Sequence, residues 1–286
     1  AHCRRALELN PDHADAHAVY GRLLVGRGET GAGIDRLRAA VRLDPLRPEL
    51  HVLLGRALRA AGQAPGAETA FRRALEIDPA CGDASAALGT LLMATGRFEA
   101  ARPVLAAGRQ YAPAHAGVRA ALGACLLELG EREAAETELR AAIELDADSV
   151  TAHRALAALL LERGDADGAE PHAARAAALA PDDAVAHELR GAALLGQGRP
   201  EEARESLGRA IRLRPGHAPT RWRRAQALLA LGRFGDGLLE AEWRWPALSI
   251  PRREPGRPLW DGKPLNGRTI LLHSAAGASE TILLVR

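Results

Sequence analysis

Two interlocked residue series recur along this chain with a step of 34 positions. Glycine holds Gly28, Gly62, Gly96, Gly130, Gly164, Gly198 and Gly232 without a gap. Proline holds Pro11, Pro45, Pro79, Pro113, Pro181 and Pro215, with Ala147 in the remaining place. A fixed period of this length restricts the fold to one supersecondary unit stacked many times, because no single unit can bury its own apolar face. In residues 14–47, the spacing predicts a first helix over Asp15 to Val25. Gly28 then ends it in a left-handed conformation that opens a tight turn. A second helix follows over Ala32 to Leu43, and Asp44-Pro45 stops it. The unit is a helical hairpin and the fold class is all-α.

The packing surface between helices can be read from two columns of small residues. Gly21, Gly55, Gly89, Gly123, Ala157, Gly191 and Ala225 form one column in the first helices. Ala67, Ala101, Ala135, Ala169 and Ala203 form its counterpart in the second helices, with Gly33 and Gly237 at the end positions. Large apolar residues such as Leu54, Leu58, Phe71 and Ile77 fill the sites between. Aromatic residues make up only 3% of the chain, so the core must come from close helix contacts lined by Ala and Leu.

Spacings such as Leu54-Gly55, Leu58, Ala67, Phe71, Ala74 and Pro79 resemble the tetratricopeptide repeat (TPR). The resemblance covers residues 1–250: a half-unit at 1–13, six units over 14–217 and a degenerate seventh over 218–250. In the seventh unit Arg224, Arg244 and Ser249 replace the expected Leu, Ala and Pro. The family implies a right-handed superhelix of antiparallel hairpins whose first helices line a concave groove that holds a peptide or protein segment. Carried onto this chain, the groove positions include Asp15, Arg22, Glu49, Arg56, Arg59, Asp83, Thr90, Arg154, Glu188, Trp222 and Gln226. Ala18, Val52, Met93, Leu161, Glu162 and Leu195 belong to the same set. Arg22, Arg56 and Arg59 suit a carboxylate or a backbone carbonyl. The C-terminal half of the groove is smaller and more apolar. Two specialised grooves of the family are not matched. One clamps a carboxylate with Lys and Asn, and the other carries an Asn ladder, whereas the only asparagines here are Asn10 and Asn266 and the only lysine is Lys263.

Other function classes find little support. The formal net charge is +2 with acids and bases interleaved, so no basic stripe points to nucleic acid or an anionic membrane. No apolar run approaches the roughly 20 residues that span a bilayer. Cys3, Cys81 and Cys125 are too scattered for a disulfide framework or a metal site, which suits a reducing interior and a cytoplasmic location. His17, His51, His153 and His187 share one repeat position, so each sits on a different hairpin, too far apart to share one zinc ion. They read as packing residues. No catalytic motif, metal site or cofactor site is expected within the repeats.

The composition changes near the end. Residues 246–266 are proline-rich, and the segment 251–266 reads as a linker. Residues 267–286 follow as Thr269 to His273, of strand character, then a small-residue loop and a helix start at Ser279-Glu280. This stretch, after PLWDGKPLNGRTILLH, is similar to the junction in bacterial proteins where TPRs precede a glycosyltransferase-like domain of the two-Rossmann type. The resemblance implies a single βα unit, with Gly277, Ser279 and Thr281 as a weak anion loop. It further implies a nucleotide-sugar partner only if the rest of that domain exists. In this loop Ala275, Ala276 and Ser279 depart from the family's Glu, Gln and Gly. The chain opens at Ala1 inside a helical pattern, CRRALELNPD, and reads as a fragment of a longer protein. The expected function is a non-enzymatic interaction scaffold. The alternative is the substrate-presenting part of a glycosyltransferase-like protein.

Overall fold

The structure, a computed structural model, describes residues 2–249. The expected linker at 251–266 and the βα unit at 267–286, with Gly277, Ser279 and Thr281, lie outside the described residues.

Among the described residues every regular element is a helix. A leading helix α1 (His2–Leu9) precedes six hairpins of uniform size. They are α2 (Ala14–Gly26) with α3 (Thr30–Leu43), α4 (Pro48–Ala60) with α5 (Ala64–Ile77), and α6 (Gly82–Ala94) with α7 (Phe98–Tyr111). Then come α8 (Ala116–Glu128) with α9 (Arg132–Leu145), α10 (Val150–Glu162) with α11 (Ala166–Leu179), and α12 (Ala184–Gly196) with α13 (Pro200–Leu213). In the seventh hairpin α14 (Ala218–Ala230) meets a second helix cut to eight residues, α15 (Phe234–Ala241), and the short α16 (Arg244–Ala247) packs back on α14.

Each turn glycine does what its spacing predicts. All seven have φ between +71° and +83°. The amide of Gly28 donates to Val25 O at 3.0 Å, and that of Glu29 donates to Leu24 O at 3.0 Å, which closes the end of α2 with the paired bonds of a left-handed glycine cap. The long-range bond of this pair recurs in every later unit, from Gln63 to Leu58 through Arg233 to Leu228. The leucine that accepts it is buried each time.

The small-residue column is where the two helices of a hairpin touch. A Cβ built on Gly123 would lie 2.6 Å from Leu139 Cγ, and one on Gly55 would lie 2.5 Å from the Phe71 ring. The exceptions follow the same rule. Where the column carries Ala157 or Ala225, the residue sixteen positions on is Ala173 or Ala241, not a leucine or phenylalanine. The added methyl of Ala157 or Ala225 is accompanied by a small residue on the facing helix, so the overlap that a Cβ would meet beside a leucine or phenylalanine does not arise.

A second column ties six of the seven hairpins to the preceding turn; the third carries Ser85 at this place. The Nε2 atoms of His17, His51, His153 and His187 lie 2.9–3.0 Å from the carbonyls of Pro11, Pro45, Ala147 and Pro181, six residues upstream. A carbonyl only accepts, so each Nε2 carries the proton. At the same position Arg119 and Arg221 donate through Nε to Pro113 O and Pro215 O at 2.8 and 2.7 Å. The histidines are structural latches on carbonyls that no helix would otherwise satisfy. The residue nineteen positions later follows the latch. Arg119 faces the buried Glu138, Arg221 faces Glu240, and His153 Nδ1 accepts from His172 Nδ1 at 3.0 Å.

Successive even-numbered helices, α2 through α14, pack on one another, whereas successive odd-numbered helices do not to a comparable extent. Elements crowd on the inside of a bend and splay on its outside. The array is therefore a curved superhelix with the even-numbered helices on its concave side. No described helix is long and apolar enough to cross a membrane.

Candidate functional site

The concave face follows from helix geometry. In each even-numbered helix the latch position points toward the splayed, outer side. At about 100° per residue, positions two before and five after it lie roughly 140–160° away and face inward. Two before are Asp15, Glu49, Asp83, Gly117, Thr151, Val185 and Pro219. Five after are Arg22, Arg56, Thr90, Ala124, Ala158, Ala192 and Gln226.

The charged N-terminal half of this face is largely committed to holding neighbouring hairpins together. Asp15 accepts from Arg47 at 2.5 Å, and Glu49 lies 3.8 Å from the same guanidinium. Arg56, expected to meet a ligand, donates to Asp83 of the next hairpin at 2.5 Å. Both partners are exposed, so the pair contributes little stability and a ligand carboxylate can compete for Arg56. Arg22 and Arg59 are exposed and have no ion pair among the described residues. Thr90 is exposed and its hydroxyl donates to Ala86 O on its own helix at 2.7 Å.

Farther along, the expected residues divide into two kinds. Arg154 donates to Asp183 at 2.7 Å; burial pushes that carboxyl up, but Arg154 together with the amides of Val185 and Ala186 outweighs it, so Asp183 sits below the usual carboxylate range. Glu188 is buried at 9% exposure. It accepts from Arg223, from Arg214 at 3.2 Å and from the Thr220 hydroxyl at 2.8 Å, with His217 Nδ1 3.2 Å away. Such a carboxylate staples the sixth and seventh hairpins. Trp222 is half-buried and Gln226 exposed at the far end.

The smaller, more apolar C-terminal half expected from the sequence takes its form from alanines that were not among the expected positions. Ala124, Ala158 and Ala192 occupy the place held by Arg22, Arg56 and Thr90 in earlier hairpins, and all three are half-buried. Met93, Leu127, Leu161 and Leu195, three positions on, run beside them and are half-buried too. The result is a shallow apolar trough over α8, α10 and α12; the unpaired arginines Arg22 on α2 and Arg59 on α4 lie farther toward the N-terminal end of the array, beyond α6. The signal was present in the period itself, since following one column through all seven units exposes the run of alanines.

Among the described residues no three His, Cys, Asp or Glu side chains converge as a metal site would require. Burial pushes the Cys81 and Cys125 thiols up, away from the reactive thiolate form.

A family model described as tetratricopeptide repeat matches residues 58–113, 92–160 and 194–238, more than half of the chain. Two further models of the same description match residues 19–80 and 150–179. No curated protein matches the sequence. Among solved structures, the chain is similar to the APC/C hetero-tetramer Cut9–Hcn1, with a TM-score of 0.69 and 16% identity. That match covers 87% of this chain and 49% of the other, so this chain spans about half the length of that relative. It is also similar to pilF of Pseudomonas aeruginosa, with a TM-score of 0.61, 20% identity, and 74% and 95% of the two chains covered. A tetratricopeptide repeat protein from Parabacteroides merdae gives a TM-score of 0.56 and 20% identity over 84% and 94%. At these identities the likeness concerns the fold. The matched family segments lie between residues 19 and 238 and lend no support to a glycosyltransferase-like domain beyond them.

Proposed function

Since the chain belongs to the tetratricopeptide repeat family, we propose that it is an interaction scaffold whose concave face holds an extended segment of a partner protein. The observation that carries this reading is the trough formed by Ala124, Ala158 and Ala192 beside Leu127, Leu161 and Leu195. Small side chains there leave room for a ligand backbone, and the half-buried leucines offer apolar area without closing the face. A suitable segment carries apolar side chains over the trough and an acidic group toward Arg22 and Arg59, where an arginine fork suits a carboxylate. Trp222 and Gln226 bound the other end. Affinity comes from a few apolar anchors, and the charged end sets register and direction.

Selection from a random peptide library on the purified chain tests the proposal. Selected peptides are expected to share apolar residues followed or preceded by an acid. They should lose about tenfold or more in affinity for a variant with Ala124→Trp and Ala158→Trp, which fills the trough. Equal binding to both proteins would exclude the concave face as the site.

A further inference from the structure

The outer face of the array carries clefts along the odd-numbered helices, each floored by an even-numbered helix. One, about 540 Å³, lies between α3 and the turn at Pro11 and Asp12 that precedes α2, and one, about 440 Å³, lies between α5 and α7. The first is charge-balanced, with Arg36 and Arg42 against Asp12 and Asp35, and the second is mainly apolar. The cleft between α13 and α15 differs in size and sign. Its volume is about 790 Å³ and it is lined by Arg204, Arg209, Arg212, Arg221, Arg224 and Arg233 against three acids, Glu205, Asp236 and Glu240.

The cations are not all satisfied from within. Arg221 and Arg224 share the single buried carboxylate of Glu240, Arg204 pairs with Glu201, and Arg233 pairs with Asp236 at 2.7 Å. Arg209 and Arg212 have no ion pair among the described residues. Beside them on the α13 wall, Gly208 contributes no side chain. A Cβ there would lie 3.8 Å from an Arg212 nitrogen and 3.9 Å from an Arg224 nitrogen, both the far ends of flexible chains. Trp243, under Arg221 at 4.8 Å, and the 78% exposed Leu239 add apolar wall.

We infer that this outer cleft is a second docking site, distinct from the concave face, and that it takes an acidic peptide segment of a partner protein. Three observations favour that occupant. The cationic groups along α13 run from Arg204 to Arg212, about 12 Å of helix, instead of converging on one point as a site for a single phosphate would. An extended peptide covers that distance with about four residues. The apolar wall suits side chains between the acids. Residues 250–286 of the chain itself carry Arg252, Arg253, Arg257, Lys263, Arg268 and Arg286 against Glu254, Asp261 and Glu280, so their own charge is of the wrong sign to fill the cleft.

The test uses a fluorescein-labelled oligoglutamate of about twelve residues as probe, read by anisotropy on the full chain near 0.15 M salt, where the screening length is about 8 Å. Arg209→Glu with Arg212→Glu is compared with Arg27→Glu plus Arg42→Glu, which makes the same change of net charge on the first hairpin, away from the concave arginines Arg22 and Arg59. All four arginines are exposed, and far-UV circular dichroism checks that the fold is kept. The α13 pair should lower affinity about tenfold or more, while the pair on the first hairpin changes it less than about threefold. The milder Arg209→Gln with Arg212→Gln should fall between. Equal losses from the two reversals, or no saturable binding by the wild type, would overturn the inference. So would displacement of the probe by inorganic tripolyphosphate at equal charge, which would mark a general anion site.

Discussion

Replacing Gly123 with alanine should destabilise the array even though alanine is the better helix former. The new Cβ would lie 2.6 Å from Leu139 Cγ, 2.8 Å from its Cδ2 and 3.1 Å from the Ala135 carbonyl, against an ordinary carbon contact of about 3.5–4.0 Å. Leu139 is fully buried, so it has little room to retreat. Overpacking of this kind costs about 1–3 kcal/mol, and helix propensity returns up to about 1 kcal/mol. The net loss should be about 1–2 kcal/mol. Leu139→Ala alone should cost about 2–5 kcal/mol through its cavity. The two changes together recreate the Ala157–Ala173 arrangement, in which the methyl of one helix occupies space vacated by the other. The double variant should therefore be about 1–2 kcal/mol more stable than the sum of the single losses predicts. Urea midpoints supply the cycle, with amide exchange in α8 and α9 as the local readout, because repeat arrays need not unfold as one unit. Additivity within about 0.5 kcal/mol would refute the reasoning that the two columns compensate each other's volume.

Two other expectations follow from the latch column. His51→Ala leaves the Pro45 carbonyl without its donor and should cost about 1–3 kcal/mol by thermal or urea unfolding, whereas His51→Arg combined with Ala70→Glu, copying Arg119 and Glu138, should recover most of that loss. The second concerns pH. Burial, then His153 and Arg140, push the His172 pKa below its ordinary 6.5, so the folded state resists protonation there. The unfolded chain then binds more protons, and stability, fully present above about pH 6.5, should decline as pH falls through that value toward the lower folded pKa. His172→Gln should flatten this part of the stability curve, leaving the losses at lower pH, where the depressed carboxyls of Glu68 and Glu136 protonate, unchanged.

The period carried most of the architecture into the sequence. Glycine at every thirty-fourth place needs a left-handed turn, and a small residue before a large one needs close helices, so both local geometry and packing were legible without coordinates. The pairing of columns was harder to read. Ala157 and Ala225 look like neutral variation until Ala173 and Ala241 are seen to face them. The charged residues were the least legible, because a position shows that a side chain points inward but not what reaches it from the next hairpin. Arg56 meets Asp83, and Glu188 disappears among Arg214, Arg223 and Thr220. These contacts depend on the stacking geometry between units, which one unit's sequence does not contain. The alanine trough was the reverse case, visible only when one column is followed through every unit.

The proposal that the even-numbered helices form the binding face is tested most directly by amide hydrogen exchange of the full chain with and without a selected peptide. Binding on the concave face should slow exchange in α8, α10 and α12, and leave α9, α11 and α13 unchanged. Protection confined to the odd-numbered helices, or spread evenly over both sets, would contradict it.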